Sequence, residues 1–220
     1  MRCVLPCSVP KLINHDKRRR QIIQAAWKLI AADGIGALTL RRVAAEAKIV
    51  PGSVRYIYET QDALVNAVAD ELVAQTRNAV EAGATRYTGT DAAALRLFDL
   101  VPVRPDAILR WKVEHAIYVG ASQHPRFADD VAACRNVRGA ECLAVVRSLA
   151  NGLQVPGPEI DLEVLRALAL IEGLSHLAAH GGASGIKADE AQVIVRHHVQ
   201  ELQGSWRRRQ AGVAAGSRSR

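Results

Sequence analysis

TLRRVAAEAKIVPGSVRYIYETQ, residues 39–61, contains two short amphipathic segments joined by a turn. Thr39 is the expected N-cap of the first segment, and Pro51 suits the first turn of the second because its φ is fixed near the helical value. Gly52 is expected to let the backbone pass close to its neighbours. Two short helices joined in this way form a helix-turn-helix, whose second helix enters the major groove of DNA.

The outer faces of both segments carry side chains that suit DNA contacts. Arg55 can bond guanine bidentately, and the hydroxyls of Ser53 and Tyr56 can reach phosphates or base edges. Thr39 marks a helix N-terminus, where free N–H groups and the helix dipole favour a phosphate. For Tyr58, half-buried packing is an equal alternative. The predicted DNA contacts are Thr39, Arg41, Arg42, Ser53, Arg55, Tyr56 and Tyr58.

A supporting helix is predicted before this motif. Residues 1–13 lack periodicity and are expected to be a disordered tail. The helix should begin near Asn14 or Asp16 and end at Asp33, with Gly34 as its C-terminal stop. Its apolar residues recur at helical spacing and predict a buried stripe of Ile22, Ile23, Ala26, Trp27 and Ile30.

Residues 17–65 resemble the TetR family of transcriptional regulators, through RxxIxxA at 20–26, TLRRVA at 39–44 and GSVRYIYETQ at 52–61. The resemblance implies a three-helix DNA-binding unit joined to an all-helical body that binds a small ligand and forms a homodimer. It also implies DNA contacts from Thr39, Arg42, Ser53, Arg55, Tyr56 and Tyr58. Arg55 and Gln61 stand where Tyr and Lys are commoner in the family. At these two positions the sequence resembles the branch that contains betaine-responsive repressors.

Charge is distributed unevenly along the chain. Residues 1–60 carry seven more basic than acidic groups, residues 61–203 carry five more acidic than basic groups, and residues 204–220 carry five basic groups and no acidic ones. The basic excess therefore coincides with the helix-turn-helix, as expected if this part meets a polyanion. A solvated basic surface is the plainer alternative.

The sequence pattern of the residues after the helix-turn-helix predicts helices and no strands, so we expect an all-α fold. The expected domains are a tail at 1–13, a helix-turn-helix domain at 14–60, a helical ligand-binding and dimerisation domain at 61–203, and a disordered basic tail at 204–220. Thr60 is the expected cap of a long helix. The body helices are predicted near 61–84, 91–100, 106–122, after Pro125 to 150, 159–180 and 188–203.

The last two body helices are the predicted dimer contact. Residues 159–180 are apolar almost all round, and such a helix needs partners that a single subunit does not supply. A two-fold four-helix interface formed by 159–180 and 188–203 would bury them. The resemblance places the family's dimer contact in the same region.

Trp111, His115 and Tyr118 are the candidate ligand-binding residues. Their spacings of four and three place them on one helix face. They would then form a pocket wall, with two large rings supplying apolar area and an imidazole orienting the ligand. Ordinary helix packing is the competing interpretation.

Several classes of function find no support in the sequence. No phosphate-binding glycine loop, HExxH, paired CxxC or GxSxG motif is present, so we predict no enzyme, no catalytic residue, no metal site and no cofactor. No apolar run suits a membrane span, and the N-terminus does not resemble a signal peptide, which predicts a cytoplasmic protein. Cys3, Cys7, Cys134 and Cys142 are expected to be ordinary reduced thiols.

The prediction is therefore a regulator that binds an inverted-repeat operator in double-stranded DNA as a homodimer. It is expected to be a repressor that an unidentified small-molecule effector releases. The alternatives are a weakly specific nucleoid-type DNA binder, an activator built from the same helices, and a helical ligand-binding protein or enzyme without operator function.

Overall fold

The computed structural model describes residues 15–121 and 127–217, and the regular elements in those ranges are all helical. The all-α prediction is confirmed for this part of the chain. Short 3-10 turns occur at Ile35–Ala37 and Gly182–Ser184. In chain order the α-helices are α1 (His15–Asp33), α2 (Leu40–Glu46), α3 (Pro51–Ile57), α4 (Gln61–Arg86), α5 (Ala92–Phe98), α6 (Pro105–Ala121), α7 (Ala128–Ala150), α8 (Gly157–His180) and α9 (Ala188–Ser217).

The first three helices form a small unit around one apolar core. Trp27 and Ile30 of α1 pack with Val43 of α2 and Val54 of α3. Helix α3 has seven residues, and Val54 is its one buried side chain. A helix this short is marginal on its own in water, so its position depends on α1 and α2.

The turn between α2 and α3 differs from expectation in one respect. Gly52 has ordinary backbone angles, and a Cβ built there would meet no atom within 4 Å. The left-handed residue of the turn is instead Lys48, with φ 54°. The predicted close approach at Gly52 is therefore wrong, whereas Gly34 does end α1 with φ 79°.

Both predicted threonine caps are confirmed. The Thr39 hydroxyl accepts from the backbone N–H of Arg42 at 3.2 Å, and the Thr60 hydroxyl accepts from that of Ala63 at 3.0 Å. Each bond satisfies an N–H group that the first helical turn leaves open. Helix α4 then runs 26 residues and packs against α7.

A second core lies in the body, away from the N-terminal unit. It is built from α5, the C-terminal half of α7, α8 and α9, with Val145, Ile171 and Val195 at its centre. Helix α7 contributes to both cores, with Val131 in the first and Val145 in the second, while Val113 and Ile117 of α6 belong to the first core. A Cβ at Gly120 would lie 2.9 Å from Cγ2 of Ile35, so α6 closely approaches the 3-10 turn after α1.

The predicted disordered tail at 204–220 is wrong for the described residues. Helix α9 continues to Ser217. Trp206 is 2% exposed in the second core, and its indole N–H donates to the carboxylate of Glu159 at 2.6 Å. Arg209 bonds the same carboxylate, so the basic composition of this segment coexists with one buried apolar anchor.

The remaining features concern thiols and hydropathy. Cys134 and Cys142 are buried and free, and Cys3 and Cys7 lie outside the described residues. Within the described ranges, no helix combines the length and the apolar character needed to cross a bilayer.

Candidate DNA-binding surface and ligand cavity

Helix α3 presents an open polar surface beside the core of the N-terminal unit. Tyr56 is 77% exposed, Arg55 is exposed and Ser53 is half-buried. The ring of His15, at the start of α1, lies 5.9 Å from the ring of Tyr56. Within the described part of the chain Arg55 forms no ion pair, so its guanidinium is available to an anion.

The two arginines that follow Thr39 differ in their surroundings. Arg42 forms an ion pair with Asp33 at the end of α1. Arg41 is exposed, and among the described residues no acidic group pairs with it. Arg41 can therefore meet a phosphate with its full charge, whereas the charge of Arg42 is already partly neutralised by Asp33.

Tyr58 lies at the edge of the same surface. Its side chain is half-buried and packs against the first core. Burial raises the pKa of the Tyr58 hydroxyl, while nearby Arg19 opposes that rise. The packing interpretation of Tyr58 therefore fits the structure better than a full DNA contact does.

A cavity of about 300 Å³ lies between α6, α7 and α8. The structure brings the three ligand-binding candidates Trp111, His115 and Tyr118 together on its wall. Its other lining residues are Glu114, Val131, Arg135, Arg138, Glu172 and His176.

The aromatic residues of α6 continue into an imidazole cluster on α8. Trp111 and His115 are stacked, with ring centroids 5.0 Å apart and planes 7° apart. The rings of His176 and His180 meet Trp111 edge-on at 6.0 and 5.3 Å. Burial lowers the pKa of His180, and His115, His176 and Lys112 lower it further.

A buried ion-pair network forms the polar floor of the cavity. Arg138 of α7 bonds both carboxylate oxygens of Glu114 at 2.9 and 2.6 Å, and one oxygen of Glu172 at 2.9 and 3.2 Å. Arg138 is 9% exposed and Glu114 is 7% exposed. Burial alone would lower the pKa of Arg138, but the bonds and charges of Glu114 and Glu172 raise it above its ordinary value. The guanidinium therefore stays charged and joins α6, α7 and α8.

A second cation lies at the mouth of the cavity. The guanidinium of Arg135 lies over the ring of Tyr118, 5.9 Å from its centroid. Sequence reasoning missed Glu114, Arg135 and Arg138, because their partners lie on other helices. Glu172 and His176, four residues apart on α8, also line the cavity.

Among the described residues, the thiols and the acidic groups form no second candidate site. Burial raises the pKa of Cys134 to about 11, so its thiol is not primed as a nucleophile. In the ranges that the structure describes, no cluster of three or more His, Cys, Asp or Glu has the arrangement of a metal site.

Comparison with known proteins assigns the N-terminal unit. Residues 22–68 match the model of the bacterial regulatory proteins of the tetR family. Those residues span most of α1, all of α2 and α3, and the start of α4. The match therefore covers the open surface of α3 described above.

One relative and one solved structure extend the likeness into the body, and a second relative matches a shorter stretch. The HTH-type transcriptional regulator PksA of Bacillus subtilis is 27% identical over 196 residues, 88% of this chain and 94% of that protein. The HTH-type nicotine-responsive transcriptional repressor HdnoR of Paenarthrobacter nicotinovorans is 34% identical over 88 residues, 40% of this chain and 45% of that protein. A transcriptional regulator from Saccharomonospora viridis, solved in complex with choline, has the same fold, with a TM-score of 0.65 at 19% identity over 85% of this chain and 95% of the other.

The chain is a DNA-binding transcriptional regulator whose N-terminal unit, residues 22–68, belongs to the tetR family.

Proposed function

We propose that this protein is a dimeric repressor that binds an inverted-repeat operator and leaves it when a small molecule enters the cavity between α6, α7 and α8. The observation that carries the proposal is the open surface of α3 within the family's DNA-binding unit. Arg55 there has no ion-pair partner among the described residues. The proposal assigns no catalytic residue, and it places the protein in the cytoplasm, where its operator is.

On DNA, α3 would lie in the major groove with Arg55 and Tyr56 toward the bases. Thr39, Arg41 and Ser53 would meet the phosphates on either side. Arg42 would join them with the donors that Asp33 leaves open, and Tyr58 would mainly hold the end of α3 against the core. Lysines and arginines that replace counterions make such binding strongly salt-dependent.

The dimer is proposed to form through α8 and the first half of α9. Leu162, Leu165 and Leu177 of α8 and Val193 and Ile194 of α9 are large apolar side chains that one subunit leaves exposed. Leu177, Val193 and Ile194 line one shallow apolar depression, and exposed apolar surface of this kind is typical of an interface. A two-fold axis would pack the two helices against their copies and set the distance between the two α3 helices.

Helix α6 would transmit the effect of ligand binding to the DNA-binding unit. One face of α6 lines the cavity with Trp111, His115 and Tyr118, and the opposite face packs Val113 and Ile117 into the core of the DNA-binding unit. A ligand that binds better to one arrangement of α6 shifts the dimer toward that arrangement. The relative named as a nicotine-responsive repressor supports this direction of regulation.

The DNA part is tested with a duplex selected from a random pool. Arg55→Ala should weaken binding by about 1–3 kcal/mol and relax base preference at one or two positions, because a bidentate contact to a base is lost. Arg147→Ala changes an exposed arginine in the last turn of α7 and serves as the control. Equal losses in the two variants would contradict the proposed role of α3.

The dimer part is tested by sedimentation. A Leu165→Glu and Val193→Glu double variant should sediment as a monomer and lose the inverted-repeat complex, because four charges would be buried in each interface. Retention of the dimer would place the interface elsewhere.

A further inference from the structure

We propose that the cavity between α6, α7 and α8 takes a small organic cation, a quaternary or protonated amine. This inference rests on the proposed function, because it treats the cavity as the effector site. It is carried by an aromatic face that already holds a cation, by a carboxylate oxygen that the protein leaves open, and by the size of the cavity.

The aromatic face belongs to Tyr118. Its side chain is 53% exposed and lines the cavity. Arg135 places its guanidinium over this ring, and among the described residues Arg135 forms no ion pair. Ring faces attract cations through their quadrupole, and the attraction persists at partly exposed sites. The protein's own cation thus marks a position that a ligand cation can take.

The open carboxylate oxygen belongs to Glu172. Arg138 donates to Oε1 of Glu172, while Oε2 accepts no hydrogen bond from the described residues. Both oxygens of Glu114 are already bonded to Arg138. Two carboxylates therefore share the guanidinium of Arg138. Arg110 interacts with Glu114 from outside the cavity lining, so Glu172 is the lining carboxylate with an oxygen left open. The Glu172 side chain is 44% exposed, so an ammonium group can reach it.

The remaining walls and the volume favour a compact ligand. Trp111, His115 and His176 add aromatic surface around the carboxylate. A volume of about 300 Å³ is at the small end of ligand pockets, which suits a methylated or cyclic amine. An anionic ligand would be repelled by Glu172 and would depend on Arg135. The two classes of ligand therefore predict opposite effects of removing Arg135.

Choline and its neutral isostere 3,3-dimethyl-1-butanol provide a matched pair of probes. In isothermal titration of the full chain without DNA, choline should bind, and the alcohol should bind at least roughly tenfold more weakly, a difference of about 1.4 kcal/mol. Benzoate, an anionic probe, should not bind.

Three variants assign the contacts. Glu172→Gln removes the charge but keeps an oxygen for Arg138, and it should weaken choline binding by roughly tenfold or more. Arg135→Gln should retain or tighten choline binding, because it removes a competing cation. Arg147→Gln, an exposed arginine near the other end of α7, should leave it unchanged.

Four results would overturn the proposal: no heat with choline, equal affinity for the neutral alcohol, loss of choline binding in Arg135→Gln, or unchanged binding in Glu172→Gln. Because these titrations contain no DNA, their failure is separate from a failure to bind an operator. Helical circular dichroism of each variant confirms that it is folded.

Discussion

Replacing Arg138 with methionine should sharply lower the free energy of unfolding. Arg138 is 9% exposed and bonds Glu114, which is 7% exposed, through two hydrogen bonds. Methionine approximates the aliphatic stem of arginine but lacks the guanidinium, so the variant would leave the Glu114 carboxylate buried without its hydrogen-bond partner. Removing one member of a buried ion pair typically costs about 3–5 kcal/mol, mainly because the other charge stays desolvated.

Glu172 should contribute less to this loss. Its side chain is 44% exposed, so water can hydrate the carboxylate when Arg138 is absent. The expected loss is therefore close to that of the Arg138 and Glu114 pair alone, about 3–5 kcal/mol.

Urea unfolding followed by helical circular dichroism measures the effect. Protein concentration must be the same in all samples, because the stability of a dimer depends on it. Arg135→Met is the matched control: it changes an exposed arginine of the same helix and should alter stability by no more than about 0.5 kcal/mol.

A double variant separates charge from packing. Glu114→Gln combined with Arg138→Met removes both charges and should recover more than half of the loss, since a neutral amide is easier to bury than a lone carboxylate. A loss below about 1 kcal/mol in the single variant, or no recovery in the double variant, would refute the assignment of the network as a buried, charged link between α6 and α7.

Four further changes test other parts of the fold. Trp206→Ala should cost about 3–5 kcal/mol and release the end of α9 to proteolysis, because it empties a buried site; an unchanged digest would mean that the segment is not held there. Thr60→Ala should cost about 1 kcal/mol in urea unfolding, through loss of the cap of α4. Gly120→Ala should lower the free energy of unfolding by about 1–3 kcal/mol, because the new methyl group meets Ile35. Adding Ile35→Ala should recover part of the lost stability. Burial lowers the pKa of His198, so the folded state resists its protonation. The free energy of unfolding should therefore be highest above the ordinary histidine pKa of about 6.5 and fall as the pH drops below it. In urea unfolding measured across this pH range, His198→Gln should make that fall smaller.

The N-terminal unit was predictable from local signals. Thr39 and Thr60 cap the helices that follow them, and Gly34 ends α1, because a cap depends on only a few neighbouring residues. Gly52 shows the limit of such signals. A glycine beside a proline suggested a close approach, but the left-handed turn residue is Lys48, which its type alone does not indicate.

The body was predictable in outline and less so in its contacts. The spacing of Trp111, His115 and Tyr118 placed them on one face, and that face does line a cavity. The floor of the cavity was not predictable, because Glu114, Arg138 and Glu172 meet only after three helices pack.

The prediction for the C-terminal end of α9 was wrong for a related reason. The basic composition after residue 204 indicated a disordered tail, yet Trp206 reaches Glu159, which lies 47 residues earlier in the chain. Composition reports the average tendency of a segment and does not reveal one buried anchor with a distant partner.

Selection of bound sequences from random duplex DNA, at an ionic strength of about 0.15 M and without effector, tests the central claim most directly. A dimer that reads DNA through α3 predicts enrichment of an inverted repeat, with half-sites about 10–10.5 base pairs apart or a multiple of that distance. The Arg55→Ala variant should enrich a repeat that is degenerate at one or two symmetric positions. If the folded protein enriches no sequence, or if Arg55→Ala enriches the same repeat as the unchanged chain, operator recognition through α3 is contradicted.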